Sequence, residues 1–146
     1  MQHSKQWMLV VLLIAALSLS ACAAEVQSAA SEKPALVEPA EGTEYNRVIL
    51  TEKAAARLGV QTAPVREEQI NGEQRLVIPY SALIYGLNGE TWVYTSPEPL
   101  TFVRHPVTVD YIEGDMVILL DGPPVGTEVA TVAVAELYGT DTGVGK

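Results

Sequence analysis

The stretch from Arg75 to Leu120 sets what this chain can become. It opens with Arg75-Leu76-Val77-Ile78-Pro79-Tyr80-Ser81-Ala82-Leu83-Ile84-Tyr85, turns at Asn88-Gly89 and returns through Thr91-Trp92-Val93-Tyr94. It then runs from Phe102-Val103-Arg104 to Ile118-Leu119-Leu120. Apolar and polar residues alternate here between turn signals, and a period of two places alternate side chains on opposite faces of a strand. A small, mainly β domain is the expectation.

Within it, Leu76, Ile78 and Tyr80 should share a face, as should Trp92 and Tyr94, with Asn88-Gly89 closing a hairpin. Ser96-Pro97-Glu98-Pro99 reads as a loop. Phe102 to Ile112 is the longest strand candidate, with Val103, His105, Val107, Val109 and Tyr111 on one side. Glu113-Gly114-Asp115 turns it into Met116–Leu120, whose unbroken apolarity predicts burial on both faces. After the loop Asp121–Gly126, Glu128 to Val134 supplies a last strand. Strands at such regular spacing predict a closed or nearly closed barrel.

The flanks are simpler. Order is expected to begin near Tyr45, with Arg47–Leu50 a short strand. Thr51 to Gly59 predicts about two turns of helix: Thr51 caps, Glu52 suits the positive end of the dipole, the alanines favour helix, and Gly59 can take a left-handed terminus. Val60–Arg66 reads as a strand, at an edge because of Pro64. Glu67–Glu73 is a polar connection containing Asn71-Gly72, and residues 139–146 read as a loose tail.

The N-terminus has a polar, weakly basic start, an apolar run from Trp7 to Leu19, and then Leu19-Ser20-Ala21-Cys22. The run is short for a membrane span, which needs about 20 apolar residues, so residues 1–21 read as a cleaved signal peptide. Leu19, Ser20, Ala21 and Cys22 together resemble a bacterial lipobox. That resemblance implies cleavage before Cys22, diacylation of its thiol (palmitate-like chains) and a stable membrane anchor. From Ala23 to about Glu44, Ala, Ser, Glu, Pro and Gly without periodicity read as a flexible tether, so that residues 22–44 separate the anchor from a domain over 45–138.

Charge and chemistry narrow the function. The formal net charge is -9, and -10 without residues 1–21, whose only full charge is Lys5. Nucleic-acid binding is disfavoured. Cys22 is the sole cysteine, so no intramolecular disulfide forms. His105 is the one histidine beyond the signal region, and a lone imidazole supplies no metal shell. Asp110, Glu113, Asp115 and Asp121 gather around a turn where carboxylates solvate. Ser81 and Ser96 lack a nucleophile-elbow context. No enzyme, metal or other cofactor is expected.

The order of the pieces is informative. Val77–Leu83, Trp92-Val93-Tyr94, Phe102–Val109, Glu113–Ile118, Gly122 and Val125–Val129 resemble the C-terminal part of periplasmic adaptor subunits, the membrane fusion proteins of efflux pumps serving resistance-nodulation-division transporters. In that family this part is the membrane-proximal domain, a small SH3-like β-barrel. Val48–Thr51 through Ala55–Val65 resembles the segment preceding its first barrel strand. In full-length adaptors, lipoyl-like halves and a long helical hairpin separate the two blocks. Here only Arg66 to Gln74 lies between them, and no heptad-patterned helix pair exists to bridge to an outer-membrane channel.

The resemblance implies a non-enzymatic, extracytoplasmic lipoprotein of the cell envelope that docks to a transporter or adaptor subunit, with homo-oligomers open to it. Tyr85, Trp92 and Arg104 are the candidate interaction surface. Arg104 has two further expected partners within the chain, Asp110 and Glu90. A rival reading is a solute-binding or sensing lipoprotein using the barrel mouth near the same three residues, and a third is an adaptor remnant without a task.

Overall fold

A computed structural model describes residues 33–143. The signal region, the lipobox and Cys22, and the first part of the tether lie outside the described residues.

Among the described residues, ten strands and two α-helices follow in order: β1 (Ala35–Pro39), β2 (Asn46–Leu50), α1 (Glu52–Leu58), β3 (Gln61–Pro64), β4 (Arg66–Ile70), β5 (Glu73–Pro79), β6 (Ile84–Tyr85), β7 (Thr91–Glu98), β8 (Thr101–Glu113), β9 (Met116–Asp121), β10 (Glu128–Val132) and α2 (Val134–Thr142). The mainly β expectation holds. The strands form one curled sheet in the order β3-β10-β7-β8-β9-β5-β4. Its terminal strands, β3 and β4, are consecutive in the chain and are joined by Val65 alone. The chain therefore passes directly from one edge of the curl to the other, although β3 and β4 do not pair, and Val65 is held there by two bonds: its N–H donates to Thr127 O (2.8 Å) and its carbonyl accepts from Gly126 (2.9 Å). Val60–Arg66 thus divides at Val65 into two strands, and β3 pairs only with β10, so Pro64 sits on an edge strand as expected.

β4 and β5 meet at Asn71-Gly72, with φ of 53° and 88°. Two central residues with positive φ match the twist of a tight hairpin. The polar stretch read as a connection is therefore mostly strand. Helix α1 follows the caps predicted for it. Thr51 Oγ1 accepts from Ala54 N–H at 3.2 Å, and Gly59 takes φ 62° while its N–H returns to Ala55 O.

Both faces of the sheet are covered, and two cores result. Inside the curl lie Val65, Ile78, Ala82, Val93, Val107, Val117, Leu119 and Val129. Outside it, Val48, Leu50, Ala54, Tyr94, Phe102, Ala130, Val134 and Leu137 form a second cluster under α1, α2 and the β1–β2 hairpin. Neighbours along a strand point oppositely, so Val93 and Val129 serve the inner core while Tyr94 and Ala130 serve the outer one.

Several expectations change. Residues 35–39, assigned to the tether, form β1, which pairs with β2 from Ala35↔Leu50 to Pro39↔Asn46. Ala35 and Val37 pack against the outer core, and Pro39 ends an edge strand where no ladder donor is needed. The domain boundary accordingly moves from Tyr45 to before Ala35. Residues 139–142, assigned to the tail, belong to α2, which Leu137 and Asp141 bury against the sheet. Tyr80 leaves the face of Leu76 and Ile78 because β5 ends at Pro79 and Tyr80–Ala82 form a 3-10 turn, leaving Tyr80 46% exposed. Ser96–Glu98 continue β7 rather than forming a loop. In β9, Val117, Ile118 and Leu119 are buried but Leu120 is 59% exposed. A register shift between Val109↔Leu119 and Tyr111↔Ile118 sets one extra β8 residue against β9, so Tyr111 faces away from Val109.

Candidate functional site

Arg104 is the centre of the most connected polar site among the described residues. It lies on β8 opposite Tyr94, on the outer face of the sheet. Trp92, two residues from Tyr94, shares that face. The Arg104 guanidinium carbon is 5.2 Å from the Trp92 ring centre, 5.3 Å from that of Tyr45 and 5.8 Å from that of Tyr138. Tyr45 and Trp92 meet edge to face, with centroids 5.1 Å apart. Three aromatic walls thus surround one cation, an arrangement that the ring quadrupoles favour.

Its counter-charge is Asp141 on α2, whose side chain is fully buried. Asp141 Oδ2 accepts from the Tyr94 hydroxyl at 2.8 Å and Oδ1 from Asn46 Nδ2 at 3.2 Å. Arg104 Nε is 3.0 Å from Oδ2, but its N–H is not aimed there, and this buried nitrogen donates to no hydrogen bond. The pair is therefore Coulombic, while the hydrogen bonds to the carboxylate come from Tyr94 and Asn46. Burial holds the Tyr94 phenol well above the ordinary tyrosine pKa, and its bond to the Asp141 carboxylate raises it further. Tyr45 is also raised, first by donating to the Glu44 carboxylate at 3.0 Å.

The structure joins two of the three predicted surface residues and separates the third. Trp92 and Arg104 meet, whereas Tyr85 pairs with Thr91 and so lies on the opposite face from Trp92, which pairs with Ile84. Arg104's expected partners are otherwise engaged. Asp110 pairs with Arg75, and Glu90 accepts from Asn88 N–H at 2.9 Å. The true partner, Asp141, escaped notice because it stands in the stretch read as tail.

Beside Arg104 an open cleft of about 510 Å³ runs between the turn of residues 40–45 and the strands β7 and β8, and His105 lines it. On the hairpin between β6 and β7, Leu87 is 97% and Tyr85 54% exposed. That hairpin is stiffened by Gly86 N–H donating to Glu90 O at 2.7 Å and by the Asn88–Glu90 bond. Ser96 Oγ donates to Glu98 O at 3.2 Å, a bond local to its strand. Among the described residues, no three His, Cys, Asp or Glu side chains converge on a point that could hold a metal.

No family model and no curated protein matches the chain. Among solved structures, it is similar to an NMR structure of 180 residues from SilB of Cupriavidus metallidurans CH34, which spans that protein's N-terminal metal-binding site and membrane-proximal domain. The identity is 20% and the TM-score 0.44, over 75% of this chain and 70% of that one.

Proposed function

We propose that this chain is a non-enzymatic docking module of the cell envelope, an adaptor-like membrane-proximal domain tethered to a membrane by lipid on Cys22. It acts by placement. Acyl chains hold the domain at the membrane, residues 22–34 set its reach, and the resulting high local concentration lets a small contact suffice. The partner is a transporter or an adaptor subunit.

The β6–β7 hairpin carries this reading. An almost wholly exposed leucine beside a half-exposed tyrosine, on a turn fixed by its own hydrogen bonds, is the form of a preorganised apolar contact. The order of the two sequence blocks that resemble efflux adaptors supports it as well. Their connection, Arg66 to Gln74, is here part of the β4–β5 hairpin closed at Asn71-Gly72, with no helical arm between the blocks.

The rival reading, a solute site in the barrel mouth, has less behind it. The inner core is filled by aliphatic side chains, and Tyr85 lies across the sheet from Arg104.

Crosslinking in native membranes followed by mass spectrometry tests the proposal. The chain should link to a transporter or adaptor subunit, and the double variant Tyr85→Ser, Leu87→Ser should lose most of those links while remaining folded. Cys22→Ser should release the chain from the membrane fraction. Recovery of no such subunit by the wild-type chain would overturn the docking role.

A further inference from the structure

Helix α2 is joined to the sheet by one residue and held there by everything else. Between Val132, the last residue of β10, and Val134, the first of α2, stands Ala133, at φ 66° and ψ 23°. A residue with a Cβ is strained in that left-handed region. Ala133 also has no side-chain group to cap the helix it precedes, and no basic residue sits in the last turn. The sequence Val-Ala-Glu-Leu-Tyr-Gly-Thr-Asp-Thr is rich in weak helix formers. Thr140 and Thr142 turn their hydroxyls back onto the carbonyls of Glu136 and Tyr138, at 2.8 and 2.7 Å.

What keeps α2 helical is its docking. Leu137 is fully buried, Val134 nearly so, and Tyr138 flanks the Arg104 guanidinium. Asp141 fits a receptor built entirely from other elements: Asn46 on β2, Tyr94 on β7 and Arg104 on β8. That receptor is formed by the sheet and is indifferent to which chain supplies the carboxylate. Releasing Ala133 from its left-handed conformation is favourable, and short strained connections of this kind favour exchange of the element they carry.

We infer that α2 exchanges between two copies of this chain, so that the receptor around Arg104 in each copy takes Asp141 from the other. Every contact of the closed form is kept, and the strain at two hinges is relieved.

Charge reversal tests this in the full chain, refolded in detergent. Alone, Arg104→Glu opposes two carboxylates and Asp141→Lys opposes two cations. Mixed, exchange restores the native pair in one half and a reversed pair in the other. Native mass spectrometry should show a one-to-one heterodimer that neither variant alone reproduces as a homodimer. Hinge variants supply an independent reading. Ala133→Val, which tolerates the left-handed region less well, should raise the dimer association constant about tenfold or more, and Ala133→Gly should lower it by a similar factor. Absence of the heterodimer, or equal dimerisation of Ala133→Gly and the wild-type chain, would overturn the inference.

Discussion

The two cores of this small domain are built on different principles. The inner one is wholly aliphatic and, apart from Val65 and Ala82, is formed by strands that lie next to one another around the curl. The outer one mixes Phe102, Leu137 and Tyr94 with a buried carboxylate and an aromatic-walled guanidinium, and draws on β1, β2, both helices and the sheet. An aliphatic core tolerates changes of shape at graded cost, because each missing methylene loses its own transfer energy and leaves a cavity. A buried ionic site has no such gradation, since removing one partner strands the other in a medium that solvates it poorly. The inner core should therefore fail gradually and the outer layer abruptly.

The largest effect should come from Asp141→Ala. It leaves Arg104 buried without a counter-charge, and about 3–5 kcal/mol of stability should be lost in chemical denaturation. Hydrogen exchange should accelerate in α2 and β1 while β5 and β9 stay protected. In the inner core, Ile78→Val should cost only about 0.5–1.5 kcal/mol and leave exchange in α2 unchanged. If Ile78→Val loosened α2 as much as Asp141→Ala, the division into two cores would be wrong.

Tyr94→Phe is intermediate. It removes one donor to Asp141 without opening a cavity, for about 1–3 kcal/mol. The same variant sharpens the comparison through pH. Because the folded-state pKa of Tyr94 is raised, the native state keeps its proton where the unfolded chain has lost it. That contribution is fully present below the ordinary tyrosine pKa of about 10 and is lost as pH rises beyond it. Wild-type denaturation midpoints should thus fall in the alkaline range, and Tyr94→Phe should flatten that slope.

Within the outer layer the smallest expected effect is Thr51→Ala, which deletes the cap of α1 at its margin. About 1 kcal/mol should be lost, with no change in the alkaline slope.

The strands of the inner core were largely legible in the sequence, because alternation and Asn-Gly turns are local signals that delimit them, even where, as for β5 with β9 and β10 with β3, the partner lies far along the chain. Asn71-Gly72 and Asn88-Gly89 mark hairpins, and the caps Thr51 and Gly59 likewise mark α1, an outer-layer element with local signals of its own. Reading the outer layer locally failed for a physical reason. Ala35–Pro39 has the composition of a linker and becomes a strand only because β2 offers it a ladder. Residues 139–142 have weak helix propensity and are ordered by Asp141, whose donor Tyr94 is 47 positions away. Trp92 and Arg104, expected in one surface by residue type and spacing, do meet side by side. Tyr85 could have been separated from them by counting strand parity across the Asn88-Gly89 hairpin.

Strand β8 has a mechanical consequence. Its thirteen residues span roughly 40 Å at about 3.3 Å each, and it pairs with β7 and β2 in one half and with β9 in the other. Load that β2 hands to β8 across their short ladder therefore travels on to the β9 side of the curl along one covalent backbone, rather than through successive rows of hydrogen bonds. A body braced in this way carries tension along β8 as a rod does, while its edge strands remain free to yield.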